Sequence, residues 1–178
     1  MSLQRPPVVL LGLMGSGKST IGNRLAQSLD WAFCDTDREI ERSTGADIPW
    51  IFEKEGEAGF RRREHAALCD ALLKTNTVIS TGGGVVELEQ NRQRLAESDA
   101  WVVYLAAPPK VLFARVGQDA SRPLLAQGDA LGTLSTLHDR RDPLYRALAD
   151  CVIQTDRLSP KLVLNEILEK QEEAACKK

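Results

Sequence analysis

A chain of 178 residues makes about one domain, long enough to bury roughly 70% of its unfolded surface around one core with no disulfide or structural metal. Its 23 basic and 25 acidic residues leave a formal net charge of −2, so no overall field draws it to nucleic acid or to an anionic membrane, and any anion has to be held locally. Cys34, Cys69, Cys151 and Cys176 lack C-x-x-C spacing, and the proline-broken start through Pro6-Pro7 leads into an apolar run too short for a signal peptide or a span. The expectation is a reduced, cytoplasmic protein.

Val8-Val9-Leu10-Leu11 is β-branched and apolar, bounded by Pro6-Pro7 and Gly12, and predicts a buried parallel strand. Gly12-Leu13-Met14-Gly15-Ser16-Gly17-Lys18-Ser19-Thr20 follows it and fits G-x-x-x-x-G-K-[ST] at every fixed position. Gly12, Gly15 and Gly17 let the backbone curl so that successive N–H groups face one cavity, a nest for phosphate oxygens. Lys18 neutralises the β- and γ-phosphates, Ser19 offers a hydroxyl to Mg²⁺, and Thr20 meets the α- and β-phosphates in the same turn. Ile21, Leu25 and Leu29 recur at helical spacing, so the loop opens a helix whose positive end points at the nucleotide.

Trp31-Ala32-Phe33-Cys34 predicts a second strand, ending in Asp35-Thr36-Asp37. Ligands of open α/β sheets bind at the carboxyl ends of strands, and alternation would send both acids the same way. One of them capping the next helix, Arg38 to Arg42, is the competing reading for a single Asp. Asp47 caps a further helix that tolerates Pro49, Gly56 breaks it, and an amphipathic helix runs from about Glu57 to Lys74. Near its start stand Arg61-Arg62-Arg63, which point about 100° apart and cannot all enter one pocket. Thr77 to Thr81 predicts a third strand ending in Gly82-Gly83-Gly84, a tight ligand-facing turn that needs close approach or unusual φ/ψ. Glu87 to Glu97 predicts a surface helix, Trp101 to Leu105 a fourth strand, and a helix follows through about Val116.

Periodicity fails over about 117–132, the length of a lid, where Arg122-Pro123-Leu124-Leu125 joins a cation to a stiff apolar anchor. A surface loop is the plain alternative. A helix of about Thr133 to Ala149 is expected to kink or split at Pro143. Cys151 to Ile153 is the fifth strand, Thr155 to Pro160 a loop, and Lys161 to about Glu173 a closing helix. The fold expected is α/β: one domain over 1–178, with a five-stranded parallel sheet covered by helices on both faces and right-handed crossovers. Gly12, Asp35 and Gly82 all follow strand ends, so loop, acids and glycines should share one cleft.

Taken together, the phosphate loop, Asp35-Thr36-Asp37, Gly59-Phe60-Arg61, Glu64, Gly82-Gly83-Gly84, Arg122-Pro123-Leu124-Leu125 and Arg141-Asp142-Pro143-Leu144-Tyr145 resemble the shikimate kinase family. The loop alone is shared with very many ATPases; the acids, glycines and spaced arginines are what make the resemblance specific. It implies a nucleoside-monophosphate-kinase-like fold with a mobile lid, acting as a monomer on ATP and shikimate with Mg²⁺, in the biosynthesis of chorismate and the aromatic amino acids. The 3-hydroxyl of shikimate would be the phosphoryl acceptor.

By the same resemblance, Arg61 and Arg141 form a carboxylate clamp oriented by Glu64, and Asp37 and Gly82, Gly83 and Gly84 meet the ring, between helices spanning about 37–74. Phe52 and Phe60 either wall that pocket or pack in the core. Lys18, Ser19-held Mg²⁺ and Arg122 would stabilise the transferring phosphoryl group, with Gly15, Ser16, Gly17 and Thr20 holding phosphates. Asp35 is either the base for the attacking hydroxyl or a partner of the metal. Arg115 and Arg157 would contact adenine, although Arg115 also reads as a solvated helix residue. Arg62, Arg63, Arg140, His65 and His138 read as exposed or locally paired. The rivals are a gluconate or nucleoside monophosphate kinase of the same fold, and an ATP-gated binding module without chemistry.

Overall fold

Alternation along the first strand decides the architecture. Val8 and Leu10 enter one apolar cluster while Val9 and Leu11 enter another, and all four are buried. A strand apolar on both faces can only sit inside a covered sheet. The computed structural model describes residues 4–116 and 129–175. In chain order these form β1 (Val8–Leu11), α1 (Lys18–Leu29), β2 (Ala32–Asp35), α2 (Thr36–Thr44), α3 (Ile48–Leu72) and β3 (Thr77–Ser80). A 3₁₀ turn (Val85–Glu87) follows, then α4 (Glu89–Ala96), β4 (Trp101–Ala106), α5 (Pro109–Val116), α6 (Ala130–Leu148), β5 (Cys151–Gln154) and α7 (Pro160–Ala175).

The five strands are parallel in the order β2-β3-β1-β4-β5, with β1 in the middle and Val9 paired to both Ile79 and Val102. One cluster joins Val9, Leu11, Ile79 and Tyr104 to Leu68 of α3, Leu112 of α5 and Leu134 of α6. The other joins Val8, Leu10, Val103 and Ile153 to Ile21 and Leu25 of α1 and to Val163 and Ile167 of α7. A third, smaller cluster of Ile40, Ile51 and Phe60 binds α2 to α3.

Two expectations are refined and a third is met. Asn91 and Arg92 fold back on Val85, Val86 and Glu87, whose carbonyls accept from their side chains at 2.6 to 3.0 Å, so the run after the glycines is a 3₁₀ turn, then Leu88 extended, then helix. Pro143 lies within an unbroken α6, because it sits on the exposed face, where the carbonyl it leaves unbonded can reach water. The expected break at Gly56 is real: φ 68 and ψ −178 interrupt α3, a backbone setting that suits glycine. Of the expected lid, 117–128 lies outside the described residues; Asp129 caps α6, its Oδ1 accepting from Gly132 N at 2.9 Å, and Ala130 is already helical. Among the described residues no helix is long and apolar enough to cross a membrane.

Candidate active site

The loop after β1 turns through Gly12, Gly15 and Gly17, at φ 148, 80 and 96. Gly17 ends it in the left-handed region, and α1 begins with neither a side-chain cap nor an acid in its first turn. Its leading N–H groups are therefore left to an anion, at the positive end of the helix. Lys18 Nζ is drawn into the curl, donating to the carbonyls of Gly12 at 2.7 Å and Leu13 at 3.0 Å. The hydroxyl of Ser16 is buried with no protein partner, whereas Ser19 and Thr20 are exposed.

Strand β2 delivers Asp35 to this loop. Its Oδ2 accepts from Ser19 Oγ at 3.0 Å, while Oδ1 caps α2 by accepting from the N–H groups of Asp37 at 3.2 Å and Arg38 at 3.4 Å. Capping and the site thus coexist on one carboxylate. The strand stops at Asp35, so Asp37 belongs to the first turn of α2, and the capped helix start, rather than strand alternation, sets where it points. Ser19 and Asp35 put two hard oxygens side by side at the head of α1, a fit for a small divalent ion that takes its remaining ligands from phosphate and water. Among the described residues no group of three His, Cys, Asp or Glu could hold a metal unaided.

The turn after β3 brings the second half of the site. Gly82 and Gly84 are required by close approach and not by positive φ, whereas a Cβ on Gly83 would meet nothing nearer than 3.5 Å. A Cβ on Gly82 would lie 2.8 Å from Asp37 Oδ1 and 2.9 Å from Glu64 Oε1, and one on Gly84 would lie 2.5 Å from Arg61 Nη1. Gly82 N donates to Thr36 Oγ1 at 3.3 Å, and the Tyr145 hydroxyl donates to the carbonyl of Gly83, tying the turn to α2 and α6. Arg61 Nη1 donates to Glu64 Oε2 at 2.6 Å, and its Nη2 to Glu87 Oε2 at 3.1 Å and Glu57 Oε1 at 3.3 Å. Arg141, buried in α6, donates from Nε to Glu87 Oε1 at 3.1 Å. Asp37 Oδ1 and Glu64 Oε1 are buried with no protein partner. Burial first, then the charges of Asp35 and Glu64, pushes the Asp37 carboxyl up to about 6 against the pull of Lys18. Burial likewise raises Glu64, although Arg61 opposes it.

Two arginines, the buried carboxylates of Asp37 and Glu64 and a phosphate nest thus meet around the turn after β3 and the loop after β1. The family model described as Shikimate kinase matches residues 14–172. The chain belongs to the shikimate kinase family. A shikimate kinase of Chromohalobacter salexigens is 50% identical over 163 residues, covering 92% of this chain and 90% of that protein. One of Pseudomonas paraeruginosa is also 50% identical over 163 residues, covering 92% and 94%. The solved shikimate kinase of Acinetobacter baumannii, in complex with shikimate, superposes with a TM-score of 0.91 at 41% identity, covering 96% of this chain and 94% of that one. A Sinorhizobium meliloti gluconokinase has a TM-score of 0.65 at 18% identity, covering 96% and 93%, and shares the fold alone.

Within this shikimate kinase fold the expected residues are unevenly gathered. Lys18, Ser19, Asp35, Asp37, Arg61, Gly82, Gly83, Gly84 and Arg141 line one rim of the sheet. Arg115 is exposed on α5 and also held in place, with Nη1 donating to Gly15 O at 3.2 Å and Thr155 Oγ1 at 3.1 Å, and Nη2 to Thr155 O at 2.6 Å. It bridges the phosphate loop to the turn after β5. Arg157 stands in that turn with its side chain 93% exposed. Arg122 lies outside the described residues. Phe52 and Phe60 stack at 4.6 Å between centroids; Phe60 is in the core and Phe52 is exposed. Glu87 was not foreseen, and Arg140, expected to be solvated or locally paired, reaches across to it. An acid close behind the glycine triplet in a chain carrying spaced arginines was the available signal. His65 is locally paired as expected, 2.8 Å from Asn91 Oδ1.

Proposed function

We propose that this shikimate kinase family member transfers the γ-phosphoryl group of ATP to the 3-hydroxyl of shikimate, giving shikimate 3-phosphate and ADP. One observation carries the choice of acceptor: Arg61 and Arg141 converge beside the glycine triplet, while the unpaired oxygens of Asp37 and Glu64 face the same turn. A small ring bearing one carboxylate and several hydroxyls matches that set of cations and acceptors, and guanidinium forks suit carboxylates in a way lysine does not. A gluconate or nucleotide acceptor gives no comparable reason for both.

The phosphate loop would hold ATP through the N–H groups of Gly15, Ser16, Gly17 and Thr20 and the charge of Lys18, with Arg115 and Arg157 on the adenine side. Mg²⁺, when bound through Ser19 and Asp35, would supply neutralisation of charge on the phosphates. Asp37 would accept from the ring hydroxyls and fix the acceptor in line with the phosphate, the larger part of catalysis in such transfers being position and charge. Asp35, bonded to Ser19 at the head of α1, would either draw off that hydroxyl's proton or serve only as a partner of the metal. Arg122, on the segment between α5 and α6, would close over the transferring group. Every group comes from one chain, so a monomer suffices.

The test is ADP release with ATP, Mg²⁺ and shikimate. Turnover should require all three, stop on chelation of the metal, and fail with gluconate or with shikimate reduced at its carboxyl. Equal rates with the reduced compound would remove the clamp from the mechanism.

A further inference from the structure

Glu87 lies where a substrate carboxylate would have to go. Its two oxygens are divided between the two arginines of the clamp, Oε2 on Arg61 Nη2 and Oε1 on Arg141 Nε, each at 3.1 Å. That is the bridging arrangement by which one carboxylate satisfies two guanidinium groups. Burial pushes the Glu87 carboxyl up, but the bond from Arg141 and the charges of Arg141, Arg140 and Arg61 outweigh it and hold the group below the ordinary carboxylate range. The three arginines thus favour its ionised form.

Donor arithmetic sharpens the point. Nη2 of Arg61 has two N–H groups, and Glu57 and Glu87 take both, while Glu64 holds Nη1. An incoming carboxylate can take up Nη2 only by replacing one of its present partners. The clamp has anchors besides Glu87: Arg61 is fixed by the 2.6 Å bond to buried Glu64, and Arg141 is packed in α6 with a side chain 5% exposed. Glu87 itself has somewhere else to go. Arg140, one residue before Arg141, also bonds Glu87 Oε1 and is 58% exposed, so it can follow the carboxylate outward.

We propose that Glu87 is an intramolecular competitor for the acceptor's carboxylate: it occupies Arg61 and Arg141 until the substrate displaces it onto Arg140, and so sets the KM for the acceptor. This rests on the reading of Arg61 and Arg141 as the shikimate clamp. Since substrate and transition state bear the same carboxylate, the competition weakens both equally and should appear in KM and not in kcat.

The experiment is steady-state kinetics of Glu87→Gln, which keeps shape and removes charge. The KM for shikimate should fall by roughly five-fold, the size expected for a partly buried charge contact, with kcat and the KM for ATP close to wild type. Arg140→Ala should raise the KM for shikimate in the wild-type background, by stranding Glu87 on the clamp, and should have no effect once residue 87 is Gln. An unchanged or higher KM in Glu87→Gln, in protein with wild-type melting, would overturn the proposal by making Glu87 a support of the clamp. If the wild type itself does not use shikimate, the fault lies with the acceptor assignment and not with Glu87.

Discussion

Replacing Asp37 by Asn should make the protein more stable and less active, with a stability gain that depends on pH. In the fold the Asp37 carboxyl titrates at about 6 against an ordinary 3.8, because burial and the neighbouring charges of Asp35 and Glu64 disfavour its ionised form. Its folded value lies above its unfolded one, so its ionisation costs nothing below about pH 3.8, and stability is lost progressively as the pH rises through about 6. At about 1.4 kcal/mol for each pH unit between the two values, the cost at pH 8 is about 3 kcal/mol, falling to about half of that at pH 5. Asn keeps the shape of the side chain and removes the charge whose burial is penalised. For a chain of this length about 3 kcal/mol raises Tm by roughly 6 to 12 °C. Urea or thermal melts of Asp37→Asn and wild type at pH 5 and pH 8 give the comparison, and the KM for shikimate should rise about ten-fold or more as a charged acceptor is lost. Equal stability at pH 8, or an identical gain at the two pH values, would refute the account of Asp37 as a strained, ionised acceptor.

Arg141→Ala should raise the KM for shikimate with little change in kcat; Arg61→Ala should do the same and also lower stability by about 3 kcal/mol in denaturant melts, since it leaves Glu64, only 1% exposed, without its closest cation. An unchanged KM removes either residue from the clamp. Gly84→Ala puts a Cβ 2.5 Å from Arg61 Nη1, which Glu64 holds in place, so the guanidinium must shift, and the KM for shikimate should rise about ten-fold at near-normal kcat. Arg122→Ala should lower kcat by roughly 10³-fold if the residue stabilises the transferring phosphoryl group, and single-turnover rates near wild type would assign it to packing.

The nucleotide half of the site was legible in the sequence because each fixed residue of the phosphate loop answers a local demand. Glycine at Gly17 meets a left-handed φ, and Lys18 and Ser19 follow on the first turn of α1. Strand positions were legible for a similar reason, since alternation in Val8–Leu11 is a two-faced burial pattern read directly from residue type. What local reasoning lacked was long-range pairing. Glu87 meets Arg141 across 54 residues of chain, a contact made by the way α6 crosses the turn after β3 and by no spacing within either. Asp37 was placed in the site for an incomplete reason: a capped helix, not an extended strand, aims it. Pro143 was expected to interrupt α6, but exposure decides what a proline costs, and exposure is a property of the packed molecule.

The small apolar cluster of Ile40, Ile51 and Phe60 has one more consequence. It is the separate fastening of α2 to the first part of α3, so that portion of the acceptor side is held by far fewer buried groups than the sheet and should open to amide exchange well before the strands do. A ligand bridging Asp37, on α2, to Arg141, on α6, would stitch that loosely attached flap to the rigid body. Slower exchange over 36–60 on adding the acceptor, with the strands unaffected, is how binding would register in the molecule's breathing.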